Sequence, residues 1–111
     1  IKGLKFRQCQ IGCTQSHDAL IIILPNKLLA SKLKLALNTN KINTKILPEA
    51  KTWHFAKYWT HIPQLRIKSN DLVKSQNFLL NCVALPINCY MDKKMKKNFV
   101  DTVNHFVQSN L

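Results

Sequence analysis

One apolar run followed by a helix start constrains the fold of this chain more than any other feature. Residues 19–24 are apolar without a polar break, which is typical of a buried strand. Pro25 ends the run, and Asn26 is a suitable N-cap for a helix over residues 27–37. One face of that helix would carry Leu29, Leu33, Ala36 and Leu37. The sequence therefore predicts a strand and an amphipathic helix in one core.

Two further strands are predicted on either side of this pair. Residues 3–9 alternate weakly between polar and apolar side chains, which indicates a short strand, and residues 10–17 form a polar connection. Residues 42–47 indicate another strand, which stops at Pro48. A strand, a helix and a strand in this order would form a compact α/β unit.

The second half of the chain indicates two more helices and a short strand. A helix is predicted to begin at Ser69-Asn70-Asp71, and its face contains Leu72, Gln76, Leu79, Leu80 and Val83. Pro86 interrupts the apolar residues 83–87, so any strand there is short or at a sheet edge. Asp92 is expected to cap a final helix, with a core stripe of Met95, Phe99, Val103, Phe106 and Val107. Together these patterns predict an α+β domain, a short sheet flanked by about three helices.

Length and composition indicate one small globular domain spanning residues 1–111. The hydrophobic fraction of 46% is that of a folded protein, and a chain of 111 residues buries a modest core. There are only 2 glycines, which excludes a glycine-rich phosphate-binding loop within these residues. The chain begins at Ile1 rather than Met, and we expect it to be a piece of a longer protein.

The strongly basic charge is the second global feature. The chain carries 17 basic and 5 acidic residues, for a formal net charge of +12. Only Arg7 and Arg66 are arginines, although arginine is the residue that phosphate and base recognition favours. The lysines are mostly dispersed, which favours a solvated surface over a nucleic-acid interface. A small basic nucleic-acid-binding domain remains an alternative, and it would bind with a steep dependence on salt.

The sequence indicates neither a membrane span nor a metal site. Its longest apolar run is far shorter than the roughly 20 residues that cross a bilayer. The cysteines are Cys9, Cys13, Cys82 and Cys89, which would allow two disulfides in a secreted protein. No signal sequence is visible, so free thiols in the cytoplasm are expected. Cys9, Cys13 and His17 have a loose ligand-like spacing, but the tight C-x-x-C pair of zinc ribbons is absent.

An aromatic segment at residues 43–61 is the clearest candidate for function. It places Trp53, His54, Phe55, Tyr58, Trp59 and His61 close together in the chain. Large aromatic side chains are costly to expose and useful at the wall of a binding site. The segment is therefore either part of a core or part of a binding surface.

Five short motifs carry a resemblance to a known family. In chain order they are Leu4-Lys5-Phe6-Arg7, Asp18-Ala19-Leu20, Thr44-Lys45-Ile46-Leu47-Pro48-Glu49-Ala50, Trp53-His54-Phe55-Ala56-Lys57 and Ala84-Leu85-Pro86-Ile87. Their order resembles the C-terminal part of the DegT/DnrJ/EryC1/StrS family of pyridoxal-phosphate-dependent sugar aminotransferases, over nearly the whole chain. Within the family they are most similar to the transaminases that make 8-amino-3,8-dideoxy-manno-octulosonate, an aminated sugar of lipopolysaccharide. The chain departs from the family at residues 10–16, where an acidic loop containing glycine is expected.

The resemblance implies the small C-terminal domain of a fold-type I aminotransferase. Such an enzyme transfers an amino group, here from a donor such as glutamate, to a keto or aldehyde sugar, and it is a cytoplasmic homodimer. Pyridoxal phosphate and the Schiff-base lysine belong to a large domain upstream, so no catalytic lysine is assigned within this chain. The chain alone is therefore expected to be inactive. An inactive remnant of a truncated gene is a further alternative.

Five residues are candidates for contact with the sugar or the amino-acid donor. By the resemblance, Trp53, or Trp59 in its place, would lie against a sugar face, and His54 or His61 would hydrogen-bond a hydroxyl. Arg7, and by the same logic Lys45, would pair with a substrate carboxylate. The alternatives are that the tryptophans, Trp59 above all, belong to an interdomain core, that His54 is structural, and that Arg7 forms a structural ion pair.

Overall fold

The computed structural model of the protein describes residues 4–14, 16–45, 55–65 and 72–111. Across these residues the chain forms three strands and three α helices, in the order strand, strand, helix, helix, strand, helix. The prediction of an α+β domain, with a short sheet flanked by about three helices, is confirmed for this part of the chain.

The sheet is small and antiparallel, and the predicted apolar strand is its centre. Strand β1 is Lys5–Phe6, β2 is Ala19–Ile23 and β3 is Cys82–Pro86, in the spatial order β1-β2-β3. Every residue of β2 is paired with β3, from Ala19 opposite Pro86 to Ile23 opposite Cys82. Within β2 only Ile22 is buried and the other residues are partly buried, so the apolar run marks the strand, but most of it is not fully enclosed. Pro86 lies at the end of β3, as the prediction of a short strand requires.

Helix α1 spans Lys27–Thr39 and begins where the sequence predicts. The backbone N–H of Leu29 donates to Oδ1 of Asn26 at 2.9 Å, which satisfies one of the free donors of the first turn. The helix continues to Thr39, beyond the predicted end at residue 37. The polar residues after the apolar face are therefore helical, because a local backbone motif rather than composition decides where the helix ends.

That motif is a Schellman turn built without glycine. The N–H of Lys41 donates to the carbonyl of Asn38, and the N–H of Ile42 donates to the carbonyl of Leu37, each at 2.9 Å. This pair of bonds closes a helix when the residue after the cap is left-handed, a position that usually holds glycine. Here Lys41 takes that conformation, with a φ of 60°. Lysine is not a residue that indicates such a turn. The sequence pattern therefore predicts the end of α1 two residues too early.

The strand predicted at residues 42–47 is wrong for residues 42–45, which form no strand. Residues 46–47 lie outside the described part. The segment makes one bond to the outer edge of β3, from the N–H of Lys45 to the carbonyl of Ala84 at 2.7 Å. The N–H of its first residue, Ile42, bonds to the end of α1. The strand that pairs with β2 in its place is β3. The predicted strand-helix-strand unit is therefore not formed by consecutive elements.

Helix α2 spans Val73–Leu80 and follows two short 3-10 turns at Ala56–Tyr58 and Pro63–Leu65. The predicted start at Ser69-Asn70-Asp71 lies outside the described residues. Leu72 precedes α2 in a left-handed conformation, with a φ of 63°. Val83, which the helical spacing placed on the same face, belongs instead to β3, because α2 ends at Leu80.

Helix α3 spans Lys93–Asn110, and its predicted cap is confirmed: the N–H of Met95 donates to Oδ1 of Asp92 at 2.7 Å. The predicted stripe is buried in its middle and open at its start. Val103 and Phe106 are buried, whereas Met95 remains 49% exposed. The core interpretation is therefore correct for the middle of α3 and wrong for Met95, which lies in the first turn.

The core lies between the sheet and helices α1 and α3. Its fully buried side chains come from β2, α1 and α3, namely Ile22, Leu33, Leu37 and Val103. Each buried side chain of this size stabilises the fold by about 1.5–3 kcal/mol relative to an exposed one. Among the helices that the structure describes, none is long and apolar enough to cross a lipid bilayer.

Candidate functional site

The connection between β1 and β2 borders a polar groove of about 480 Å³, here called the β1–β2 groove. Its lining combines neutral amides and hydroxyls with one guanidinium, one imidazole and one carboxylate. The polar side chains are those of Arg7, Gln8, Gln10, Thr14, Ser16, His17 and Asp18. Such a lining can donate and accept many hydrogen bonds, which suits a polyhydroxylated ligand better than an apolar one.

A tight turn shapes the rim of the groove. The N–H of Cys13 donates to the carbonyl of Gln10 at 3.0 Å, which closes a turn over Ile11 and Gly12. Gly12 has a φ of 86°, a conformation that glycine adopts without steric cost. The side chain of Ile11 projects fully into solvent. Cys9 precedes this turn and Cys13 ends it, and both residues line the groove.

Arg7 enters the groove from the end of β1. Its backbone N–H donates to the carbonyl of Ile21 at 3.1 Å, which fixes the base of the side chain against the central strand. The residue is exposed. The ion pairs seen among the described residues are Lys45 with Asp18 and Lys97 with Asp101, so the Arg7 guanidinium has no acidic partner within that set. The structural ion pair considered for Arg7 is not found there.

Lys45 meets the groove through Asp18. Its Nζ lies 2.6 Å from Oδ2 of Asp18, while the hydroxyl of Ser16 donates to Oδ1 of the same carboxylate at 3.0 Å. The hydrogen bond from Lys45, the hydrogen bond from Ser16 and the positive charge of Lys45 together lower the pKa of Asp18 below its ordinary value. Lys45 was predicted to meet a substrate carboxylate. In the structure its ammonium group is already paired with a protein carboxylate.

His17 is the functional candidate that sequence reasoning missed. The sequence spacing indicates His17 only as a candidate metal ligand, together with Cys9 and Cys13. In the structure His17 lines the groove next to Asp18, and its backbone is left-handed, with a φ of 54°. In the described part of the chain, no group of three or more His, Cys, Asp or Glu side chains is placed to hold a metal ion. The signal that would have found it is its position two residues before β2, next to Asp18.

The predicted site residues are only partly brought together. Trp53 and His54 lie outside the described residues, so their predicted contacts with a sugar stay predictions. His61 is exposed in the turn between the two 3-10 segments and is not among the residues that line the β1–β2 groove. Arg7 and Asp18 both line the groove, and Lys45 is connected to it by its ion pair with Asp18.

The described part of the aromatic segment is packed against the domain. Phe55 is buried, and its ring lies 6.2 Å from that of Tyr58 in a tilted arrangement. Trp59 is half-buried. The ammonium of Lys57 donates to Oε1 of Gln76 at 2.9 Å, which ties the first 3-10 turn to α2. These contacts favour the interpretation of Phe55 and Trp59 as part of a packed surface.

Two other concavities are present in the described structure. A cavity of about 150 Å³ between α1 and β3 has a basic rim that contains Lys27, Lys34 and Lys45. An apolar groove of about 390 Å³ lies between β3 and the start of α3, lined among others by Ile42, Leu85, Ile87 and Met95. The first is small and the second is lined mainly by apolar residues, so neither matches a sugar as well as the β1–β2 groove does.

The described residues do not supply a pyridoxal-phosphate site. The pyridine nitrogen of this cofactor needs a carboxylate partner, and its aldehyde needs a lysine. The three carboxylates in the described ranges are all engaged: Asp18 with Lys45 and Ser16, Asp92 at the cap of α3, and Asp101 with Lys97. No step through the cofactor is therefore assigned to these residues.

No protein-family model and no curated protein matches this chain.

Proposed function

We propose that this chain is the substrate-contacting small domain of a pyridoxal-phosphate-dependent sugar aminotransferase, and that its β1–β2 groove binds a carboxylated sugar. The observation that carries the proposal is Arg7, a guanidinium in a polar groove with no acidic partner in the described structure. The sugar class is a keto or aldehyde sugar such as an octulosonate, and the amino donor is glutamate. Both substrates carry a carboxylate that Arg7 can pair with.

The guanidinium of Arg7 suits this task because of its shape. Its parallel N–H groups match the two oxygens of a carboxylate, which gives both affinity and orientation. The neutral side chains around it, such as Gln8, Gln10 and Thr14, supply donors and acceptors for sugar hydroxyls. One charged anchor with several neutral hydrogen-bonding groups is the composition that a sugar acid requires.

The ion pair between Asp18 and Lys45 serves the same groove. Asp18 lines the groove, and an unpaired carboxylate there would repel an anionic ligand. Lys45 lies 2.6 Å from that carboxylate and offsets its charge, so the positive charge of Arg7 dominates the groove. We therefore assign Lys45 an indirect role, in which it neutralises Asp18, rather than a direct contact with substrate.

The chain's own contribution would be to bind and orient the sugar, not to carry the chemistry. Pyridoxal phosphate, held by the large domain of a longer cytoplasmic homodimer, would supply the electron sink for amino transfer. The exposed leucines of α1, Leu28 at 66% and Leu35 at 68%, support contact with a further domain or subunit, since exposed apolar surface favours association.

Ligand binding to the isolated chain tests this proposal. We would titrate the protein with 3-deoxy-manno-octulosonate and follow backbone amide shifts by NMR. We expect saturable shifts confined to the β1–β2 groove. Because a charged hydrogen bond is lost, Arg7→Ala should weaken binding by about tenfold or more. Arg7→Lys keeps the charge but loses the parallel N–H groups that bind both carboxylate oxygens, so we expect an intermediate affinity.

Lys74→Ala is the matched control, because Lys74 is exposed on α2 and lines none of the three concavities described above. It removes one positive charge without touching the groove and should leave the affinity unchanged. Equal weakening by Arg7→Ala and Lys74→Ala would show general charge attraction only. That result, or the absence of groove shifts in the unmodified protein, would reject the proposal.

A further inference from the structure

Two exposed thiols lie at the rim of the β1–β2 groove, on either side of its tight turn. Cys9 and Cys13 are both free and exposed. The Sγ of Cys9 donates to the carbonyl oxygen of Cys13 at 3.6 Å. Both residues line the groove that contains Arg7 and Asp18. The sulfur of one cysteine is therefore already in contact with the backbone of the other.

The turn between them keeps the two residues close. The bond from Cys13 N–H to the Gln10 carbonyl, at 3.0 Å, reverses the chain directly after Cys9. Gly12 holds the left-handed position of this turn, with a φ of 86° and no atom near the place of a side chain. The chain reversal and the contact of the Cys9 sulfur with the Cys13 carbonyl oxygen keep the two cysteines near each other, which a sulfur–sulfur bond requires.

We propose that Cys9 and Cys13 are a site of reversible disulfide formation, which fixes the rim of the β1–β2 groove when oxidised and releases it when reduced. This inference does not depend on which ligand the groove binds. It goes beyond the proposed sugar binding, because it assigns a redox modification to the loop that shapes the groove.

The chemistry is an exchange with a low-molecular-weight disulfide, such as glutathione disulfide. The thiolate of one cysteine attacks a sulfur of the oxidant, forms a mixed disulfide and expels one glutathione thiolate. The second cysteine, as its thiolate, attacks the protein sulfur of that mixed disulfide and expels the second glutathione. The protein pair is oxidised by two electrons, glutathione disulfide is reduced by two, and the protons of the protein thiols end on the two glutathiones.

The other two cysteines are poorer candidates. Cys82 is buried in β3, and desolvation raises the pKa of its thiol, which lowers the fraction of reactive thiolate. Cys89 is exposed but lies in the connection between β3 and α3. The loop closed by Cys9 and Cys13 is also short, so it gains little from loop closure and should be readily reduced again.

Trypsin makes the test direct, because it separates the two cysteine pairs. Cleavage after Arg7 and Lys27 yields a peptide of residues 8–27 with Cys9 and Cys13, and cleavage after Lys74 and Lys93 yields residues 75–93 with Cys82 and Cys89. We would incubate the folded chain with glutathione disulfide, block free thiols with an alkylating reagent, digest it and measure peptide masses. We expect peptide 8–27 to be unalkylated and lighter by two hydrogen atoms, and dithiothreitol to reverse this.

Serine variants supply the controls. Cys9→Ser and Cys13→Ser should each abolish the internal disulfide and leave a mixed disulfide with glutathione, whereas Cys89→Ser should leave the internal disulfide unchanged. Oxidation should also shift NMR amide signals of residues 7–18 but not those of α3. Peptide 8–27 that stays fully alkylated, or a link from Cys9 or Cys13 to peptide 75–93 or to a second chain, would overturn the proposal.

Discussion

At the scale of single residues, Asp18 connects the strand, the groove and the segment after α1. It precedes β2, accepts from Ser16, pairs with Lys45 at 2.6 Å, and its carbonyl accepts from the N–H of Ile87 at 3.0 Å. In the sequence, Asp18 stands out only as part of the motif Asp18-Ala19-Leu20. Its partner Lys45 is distant in the chain, so the pair could not be deduced from local pattern.

The ion pair should make stability depend on pH in one direction. The folded state lowers the pKa of Asp18 below its ordinary 3.8, so the carboxylate stabilises the fold above about pH 4. This contribution is lost as the pH falls through the lower pKa of the folded state. We expect the unmodified protein to melt at a higher temperature than Asp18→Asn at neutral pH, and the difference to disappear in acid.

Asp101→Asn is the control for this measurement. It removes the same charge from the pair with Lys97 within one helix; both carboxylates are exposed, but only the pair of Asp18 joins segments that are distant in the chain. Thermal unfolding of all three proteins between about pH 2 and pH 7 would decide the matter. A difference between the protein and Asp18→Asn that stays constant down to the lowest pH would contradict the assignment to the Asp18 carboxylate.

At the scale of elements, the starts of α1 and α3 were predictable and the end of α1 was not. Asn26 and Asp92 cap α1 and α3 through bonds to the N–H groups three residues on. Such caps are local in sequence and have a recognised residue preference. The end of α1 instead uses Lys41 in a left-handed conformation, and the carbonyl of Asn40 accepts from Nδ2 of Asn98 in α3 at 3.1 Å. That end depends partly on tertiary contact.

Replacing Lys41 by glycine should therefore stabilise the protein. A left-handed conformation costs a residue with a side chain about 1–2 kcal/mol, and glycine avoids this cost but loses more entropy on folding. We expect Lys41→Gly to raise the free energy of unfolding by up to about 1 kcal/mol, measured by urea denaturation.

Two variants are controls for the effect of Lys41→Gly. Lys41→Ala removes the same charge but keeps the strained backbone, so it should give no such gain. Lys32→Gly makes the same exchange at an exposed position inside α1 and should destabilise the protein by up to about 1 kcal/mol. If Lys41→Gly destabilised the protein as much as Lys32→Gly, the left-handed turn would not be the cause of the helix end.

At the scale of the whole molecule, the two edges of the sheet differ in strength. β2 is paired with β3 over five residues and with β1 over only two. The β3 side also carries the core residues Val83 and Leu85, whereas both residues of β1 are exposed. The groove is thus built on the weaker edge, where local opening requires the loss of few contacts.

Hydrogen exchange should reveal this difference. The N–H of Arg7 donates to Ile21 at 3.1 Å on the β1 side, and the N–H of Leu24 donates to Asn81 at 2.8 Å on the β3 side. We expect the Arg7 amide to exchange at least about tenfold faster than the Leu24 amide after correction for intrinsic rates, measured by NMR. Equal protection would mean that β1 opens only with global unfolding.

The sequence by itself determined the central strand, the cap residues of α1 and α3, the buried middle of α3 and the α+β class, because these depend on apolar period and on contacts within a few residues. Only the tertiary structure decided that β2 pairs with β3 rather than with residues 42–45. It also decided that Lys45 meets Asp18 and that Arg7 shares a groove with His17. These outcomes depend on contacts between segments that are distant in the chain. A local sequence pattern does not show which of two distant segments will pair with a given strand.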